Sequence, residues 1–191
     1  CVNVPEKKQV VVTAHRRENF GKPLESICSA LLRLAERYSD HQFHFVTHPN
    51  PQAGPVVRRI LEGHSRIILA PAMSYPEFVR LMCGSKLLIS DSGGIQEEAP
   101  TLGVPLLITR DSTERPEVLH AGAAELVGSD QDLLVNQASR ILDDPSYRAK
   151  VRAAKNPFGN GQSGEKIVNL ILARYSLTVQ SELTPAQTSQ S

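Results

Sequence analysis

Apolar positions along the chain follow two alternating rhythms. Short β-branched and apolar runs occur at 8–14, 42–48, 66–70, 86–90, 104–109 and 124–127, and each predicts a strand buried on both faces. Between them, apolar residues recur at helical spacing: Leu24, Ile27, Leu31, Leu34 and Ala35, then Val56, Val57, Ile60 and Leu61, then Phe78, Val79 and Met82. The stretch 132–142 sets Leu133, Leu134, Ala138, Ile141 and Leu142 on one helix face. Strand and helix alternate throughout, which predicts parallel strands joined by right-handed crossovers: an α/β, doubly wound, Rossmann-like sheet.

After Pro145 the rhythm changes to a short helix, a Gly-rich break over 156–164, and an amphipathic helix carrying Ile167, Leu170, Ile171 and Ala173. From Ser176 the chain is polar and rich in Thr, Ser and Gln, which predicts a mobile tail. The expected division is therefore a Rossmann-like domain over 1–175 and a tail over 176–191. The first residue is Cys1 rather than Met and strand-like sequence follows within ten residues, so a segment upstream is expected.

Composition narrows the function classes. With 40% hydrophobic and 21% charged residues the chain is ordinary globular material, and its 191 residues are too few for two full Rossmann units. A net charge of +1 offers no broad basic face, and 5% aromatics without Trp offer no stacking platform, so no nucleic-acid partner is expected. No apolar run approaches the roughly 18 residues of a membrane span, so no membrane partner is expected either. Cys1, Cys28 and Cys83 form no CxxC pair and are odd in number, which suggests neither a disulfide framework nor structural zinc, and fits a reducing cytoplasm.

The segment 86–99, Lys-Leu-Leu-Ile-Ser-Asp-Ser-Gly-Gly-Ile-Gln-Glu-Glu-Ala, runs from a buried strand through Asp91, Ser92, Gly93 and Gly94 into a helix. Ser92 or Asp91 fits the N-cap. Two glycines in the first turn let a ligand approach free N–H groups at the positive end of the helix dipole, and a diphosphate suits that place. The dipole alone contributes about 0.3 to 1 kcal/mol per charge, so the amides and the Ser92 hydroxyl must add to it. Glu98, one turn deeper on the same face, would repel phosphate but can accept from two hydroxyls, as a ribose diol offers. The competing reading is a plain βα turn with Glu98 as a surface carboxylate.

Two more strand ends point to the same rim, where ligands bind in open α/β sheets. In 109–117, Thr-Arg-Asp-Ser-Thr-Glu-Arg-Pro-Glu, Arg115 can add a charge-assisted bond to phosphate, or simply pair with Glu114 or Glu117. In 13–21, Thr-Ala-His-Arg-Arg-Glu-Asn-Phe-Gly, His15 can donate to a phosphate oxygen. Metal is not expected: His44 and His48 on one strand would lie about 13 Å apart, too far for one zinc. Phe78 can pack beside a base, although core is the ordinary place for such a Phe.

Together, His15-Arg-Arg-Glu-Asn, His48-Pro-Asn-Pro, Ser90-Asp-Ser-Gly-Gly-Ile-Gln-Glu-Glu-Ala-Pro and Thr113-Glu-Arg-Pro-Glu resemble the C-terminal domain of the non-hydrolysing UDP-N-acetylglucosamine 2-epimerases, over about 9–172. The resemblance implies one half of a GT-B-like two-domain enzyme, without cofactor, interconverting UDP-GlcNAc and UDP-ManNAc by UDP elimination and re-addition, in cell-surface polysaccharide biosynthesis. It further implies a homodimer, an N-terminal domain that carries the proton-moving carboxylates, and no epimerisation by the isolated chain. Carried over by motif, Ser92, Gly93, Gly94 and Arg115 hold phosphates, Glu98 the ribose and Phe78 the uracil, while His15 assists the leaving diphosphate. Arg16, Arg17 and His48 match positions near a second, regulatory UDP-GlcNAc in some members. A GT-B glycosyltransferase donor domain, a hydrolysing 2-epimerase and a stand-alone UDP-sugar sensor are the alternatives.

Overall fold

The computed structural model describes residues 4–47, 50–154 and 156–182, and its contacts divide the chain into two units, 1–157 and 158–191. The first unit holds all six expected strands: β1 (Gln9–Thr13), β2 (Gln42–Val46), β3 (Ile67–Ala70), β4 (Leu87–Ser90), β5 (Leu106–Ile108) and β6 (Ala124–Leu126). All pair in parallel, in the order β3-β2-β1-β4-β5-β6. The chain winds outward from β1 to β3, then crosses back to β4 on the other side of β1. That reversal makes the carboxyl ends of β1 and β4 the switch point, where the following segments part and leave a crevice.

Burial on both faces holds for β1 and β4, each buried along its length, and for β5. It fails for β2 and β3, where Ile68, opposite His44, is 38% exposed, and for β6, where only Ala124 is buried. β3 and β6 are the two edge strands, each paired on one side only.

The helices follow the apolar spacing. In α1 (Lys22–Arg37) the buried stripe is Leu24, Ile27, Cys28, Leu31, Leu34 and Ala35, and Phe43, Phe45, Val10 and Val12 close the same core from the sheet. Pro23 starts the helix with the φ it requires, and Gly21 at φ +78° makes the turn into it. The helix α2 (Gly54–Leu61) buries Val57 and Leu61. In α3 (Tyr75–Cys83) the Glu77 carboxylate accepts from the Ser74 amide at 3.0 Å and the Ser74 hydroxyl at 2.6 Å, closing the first turn. Then follow α4 (Gly93–Leu102), the short α5 (Pro116–His120), which the apolar spacing does not announce, and α6 (Gln131–Asp143), capped by Asp130 accepting from the Leu133 amide. Leu133, assigned to the buried stripe, instead points outward at 40% exposure, and Val135 takes its place.

Two differences concern the ends and the cysteines. The helix α7 (Tyr147–Ala153) matches the expected short helix, and α8 (Ser163–Glu182) in the second unit continues past Ser176, where the sequence predicts a tail. Amphipathic spacing ends there, but no Gly or Pro stands between Ser176 and Glu182 to break the backbone. Cys83 is disulfide-bonded, against the expectation of no disulfide, since spacing along a chain does not report which thiols meet in space. Cys28 is a free buried thiol, pushed up to about 12 by burial and then by the Glu25 charge, so it behaves as a small apolar residue.

Candidate functional site at the switch point

The site begins where β4 ends. Ser92 is the N-cap of α4 with extended backbone (φ −78°, ψ 130°), yet its hydroxyl makes no capping bond to its own helix. Its amide is already used, donating to Ser90 Oγ at 3.0 Å, and Ser90 Oγ shares a hydrogen bond with Thr13 Oγ1 at 2.7 Å. The Ser92 amide is therefore not among the free N–H groups of this turn. Helical bonding resumes with the Gln96 amide donating to Ser92 O, so the Gly93 and Gly94 amides have no acceptor among the described residues.

Gly93 explains itself by space rather than by φ. A Cβ there would lie 2.8 Å from Arg115 Nη1 and 3.3 Å from Arg16 Nη2. Two guanidinium groups thus converge over the first turn of α4, on top of the dipole's positive end. Arg115 is aimed by its own partners: its Nε donates to Glu97 Oε1 at 2.5 Å, and its amide donates to Thr113 Oγ1 at 3.1 Å. Thr113 in turn donates to Gln96 on α4. This hydrogen-bonds Arg115 to Glu97, while Glu114 stands at 3.9 Å from Arg115 Nη1 as a looser ion pair. Glu114 is occupied by Arg110, which donates to it through Nη1 (2.7 Å) and Nη2 (2.9 Å) and to Glu18 through Nε (2.6 Å). Those bonds hold the Glu114 carboxyl down at about 2 and raise Arg110 above its ordinary value.

The loop after β1 is folded around Asp91, which is fully buried. Its Oδ2 accepts from the His15 amide (2.9 Å), the Arg16 amide (2.8 Å) and Asn19 Nδ2 (2.9 Å). Asn19 also donates to Thr109 O at 3.0 Å, linking this loop to the one carrying Arg115. Asp91 is thus not the cap of α4 but the anchor of 15–19. Its sequence signal was a carboxylate between a buried strand and a ligand turn, which a capping role also explains.

Beside this seat opens a cavity of about 340 Å³ lined by His15, Phe78, Ser92, Gly94 and Glu98 of the expected residues. Gly93 and Arg115 stand at the adjoining helix start and do not line it. Phe78 is half-buried at the cavity wall rather than in the core. Thr13, Thr47, Met73 and Tyr75 join the lining. Tyr75 could have been found from the sequence, being three residues before Phe78 on the same helix face. Its hydroxyl donates to Glu98 Oε1 at 3.2 Å, and the Glu98 charge raises its pKa.

Of the three residues expected at a regulatory site, Arg16 turns to the α4 terminus and Arg17 is exposed at the start of a 3-10 turn, Arg17–Asn19. His48 lies outside the described residues. Among the described residues no three His, Cys, Asp or Glu side chains gather as a metal would require, and no helix is long and apolar enough to cross a membrane.

The family described as UDP-N-acetylglucosamine 2-epimerase matches residues 2–172 of this chain. The chain belongs to that family. An Escherichia coli K12 UDP-N-acetylglucosamine 2-epimerase is 43% identical over 167 residues, which is 87% of this chain and 44% of that protein. The Neisseria meningitidis UDP-GlcNAc 2-epimerase bound to UDP-GlcNAc overlays with a TM-score of 0.83 at 38% identity, covering 87% of this chain and 45% of that one. The Staphylococcus aureus protein MnaA, solved with UDP, overlays with a TM-score of 0.85 at 36% identity, covering 96% and 50%. The chain spans about half the length of these relatives, as one Rossmann-like half of a GT-B-like fold.

Proposed function

We propose that this chain is the nucleotide-sugar-binding half of an isomerase that interconverts UDP-N-acetylglucosamine and UDP-N-acetylmannosamine. The observation that carries the reading is the seat at α4: the unpaired Gly93 and Gly94 amides, the uncommitted Ser92 hydroxyl, and the Arg115 and Arg16 guanidinium groups above them. Two open amides, a hydroxyl and two guanidinium groups, of which Arg115 spends only its Nε in a hydrogen bond to protein, suit two linked phosphates better than one. Glu98 and Phe78 extend the cavity towards a ribose and a base, and relatives of similar fold are solved with UDP and UDP-GlcNAc.

In this reading the sugar loses its carbon-2 proton and its carbon-1 to oxygen bond together, giving a 2-acetamidoglucal and free UDP. Reversal from the opposite face adds the proton and UDP back. Charge builds on the departing β-phosphate oxygen, where fixed donors lower the barrier most. His15, Ser92, Gly93, Gly94 and Arg115 fill that role, and Arg16 joins them rather than a second, regulatory nucleotide sugar. Asp91, Glu97 and Glu98 are engaged by the 15–19 loop, Arg115 and Tyr75, so the carbon-2 proton is assigned to carboxylates of an N-terminal half. A homodimer of the whole enzyme and a cytoplasmic location belong to the same proposal, the disulfide at Cys83 notwithstanding.

Calorimetric titration of this chain tests it. UDP is expected to bind weakly and UMP more weakly, since the seat takes both phosphates, and UDP-GlcNAc is expected to remain unconverted. Gly93→Ala needs no unusual φ, so it folds while its methyl displaces two guanidinium groups, lowering UDP affinity roughly tenfold. Equal binding of UDP and UMP, or an unaffected Gly93→Ala, would remove the seat as the diphosphate site.

A further inference from the structure

We infer that Gln96 is a positioning residue for Arg115, tying the loop that carries the arginine to the helix that carries the two glycines. Gln96 lies one turn into α4 with no exposed surface, where a polar side chain is costly unless its hydrogen bonds are made. Its Oε1 accepts from the Thr113 hydroxyl, and the Thr113 oxygen accepts from the Arg115 main-chain amide at 3.1 Å. A main-chain N–H only donates, so the Thr113 proton is left for Gln96 and the relay runs one way. Gln96 Nε2 has no hydrogen-bond partner among the described residues. One buried donor is thus left unsatisfied while the acceptor faces Thr113, which an apolar residue of the same size would avoid.

The next residue of α4, Glu97, accepts from Arg115 Nε at 2.5 Å. Consecutive residues of one helix therefore hold Arg115 twice, Gln96 at its backbone through Thr113 and Glu97 at its guanidinium. Asp111, Ser112 and Glu114 of the same loop are exposed, so burial does little to set where the loop lies. Position matters here, because Arg115 Nη1 already stands 2.8 Å from where a Gly93 Cβ would be, and a hydrogen bond weakens steeply once misaligned. That the arginine so placed serves phosphate rests on the proposed diphosphate reading; the hold on Arg115 does not.

Gln96→Met separates holding from folding. It removes the acceptor and the stranded Nε2 together at similar volume, and the half-buried Thr113 can turn its hydroxyl to water, so the urea midpoint should stay or rise. In 15N–1H NMR of this chain, the Arg115 Nε–H, identified with Arg115→Lys, is expected to exchange with water roughly three- to tenfold faster in Gln96→Met, the opening that loss of one neutral hydrogen bond implies. In calorimetry, UDP affinity should fall by a similar factor, roughly three- to tenfold, in Gln96→Met and in Thr113→Val, while Thr113→Ser, which keeps the hydroxyl, binds as wild type does. Beside Arg115→Ala neither change should lower affinity further, because both act through that side chain. An unchanged Arg115 Nε–H in folded Gln96→Met overturns the inference, as do losses that persist in full beside Arg115→Ala. If Gln96→Met does not fold, Thr113→Val against Thr113→Ser decides by the same two measurements. Failure of wild type to bind UDP strikes the proposed function, and the Arg115 Nε–H comparison still decides whether Gln96 holds the arginine.

Discussion

The two ends of β4 hold buried charges that have been treated in opposite ways. At the amino end, Arg148 from α7 donates to Cys83 O (2.7 Å), Ser85 O (2.6 Å) and Gly103 O (3.3 Å) and to the Glu6 carboxylate (2.8 Å). Those carbonyls close α3 and α4, where a cation meets the negative helix ends, and nothing is left over. At the carboxyl end, Asp91 gathers three donors on one oxygen and leaves the other without a hydrogen bond, beside two amides and a hydroxyl that also have none. The first arrangement is complete without a ligand and reads as structure. The second is ordered but incomplete, which is what a binding site requires before its ligand arrives.

Four changes test how separate the two ends are. Arg148→Met should cost about 3 kcal/mol or more of stability by stranding three carbonyls and Glu6, seen as a lower urea midpoint, with UDP affinity of the folded fraction unchanged. A loss of affinity in that folded fraction would show that the ends are coupled. Arg115→Ala should do the reverse, weakening UDP roughly ten- to a hundredfold in calorimetry while the urea midpoint barely moves, because its partner Glu97 is half exposed and can turn to water. Glu98→Gln should cut the preference for UDP over 2′-deoxy-UDP by roughly threefold to tenfold, as one charge-assisted bond to a hydroxyl becomes neutral. The smallest effect is Glu114→Gln. Arg110 lowers the Glu114 carboxyl from 4.5 to about 2, so its stabilisation is complete above pH 4.5 and is lost as the pH falls towards 2. The variant should be less stable at neutral pH and lose less between pH 4.5 and 2, measured as urea midpoints along that range.

The six strands and most helices were legible because burial on a parallel sheet leaves an uninterrupted apolar run and helices leave a 3.6-residue stripe, both local records of a global packing. The failures lie where the record is not local. Leu133 and Val135 are equally apolar neighbours, and only the place of α1 beside α6 chooses which turns inward. The short α5 buries Val118 alone and so leaves no apolar stripe to read. Near Arg115 in sequence, Glu114 keeps only a 3.9 Å ion pair with it, whereas the fold supplies the hydrogen-bonding carboxylate, Glu97, from another helix.

By itself, the sequence determined the fold class and the family, because alternating apolar rhythms record a parallel sheet and Ser-Asp-Ser-Gly-Gly and Thr-Glu-Arg-Pro stand at fixed spacing. Only the tertiary structure decided which amide of that turn is already spent, that Arg16 shares the α4 terminus with Arg115, and that Asp91 stands behind His15. Each of these joins residues from separate strand ends. Their meeting is set by the crossover from β3 to β4, and the direction of a hydrogen bond cannot be read before that crossover brings donor and acceptor together.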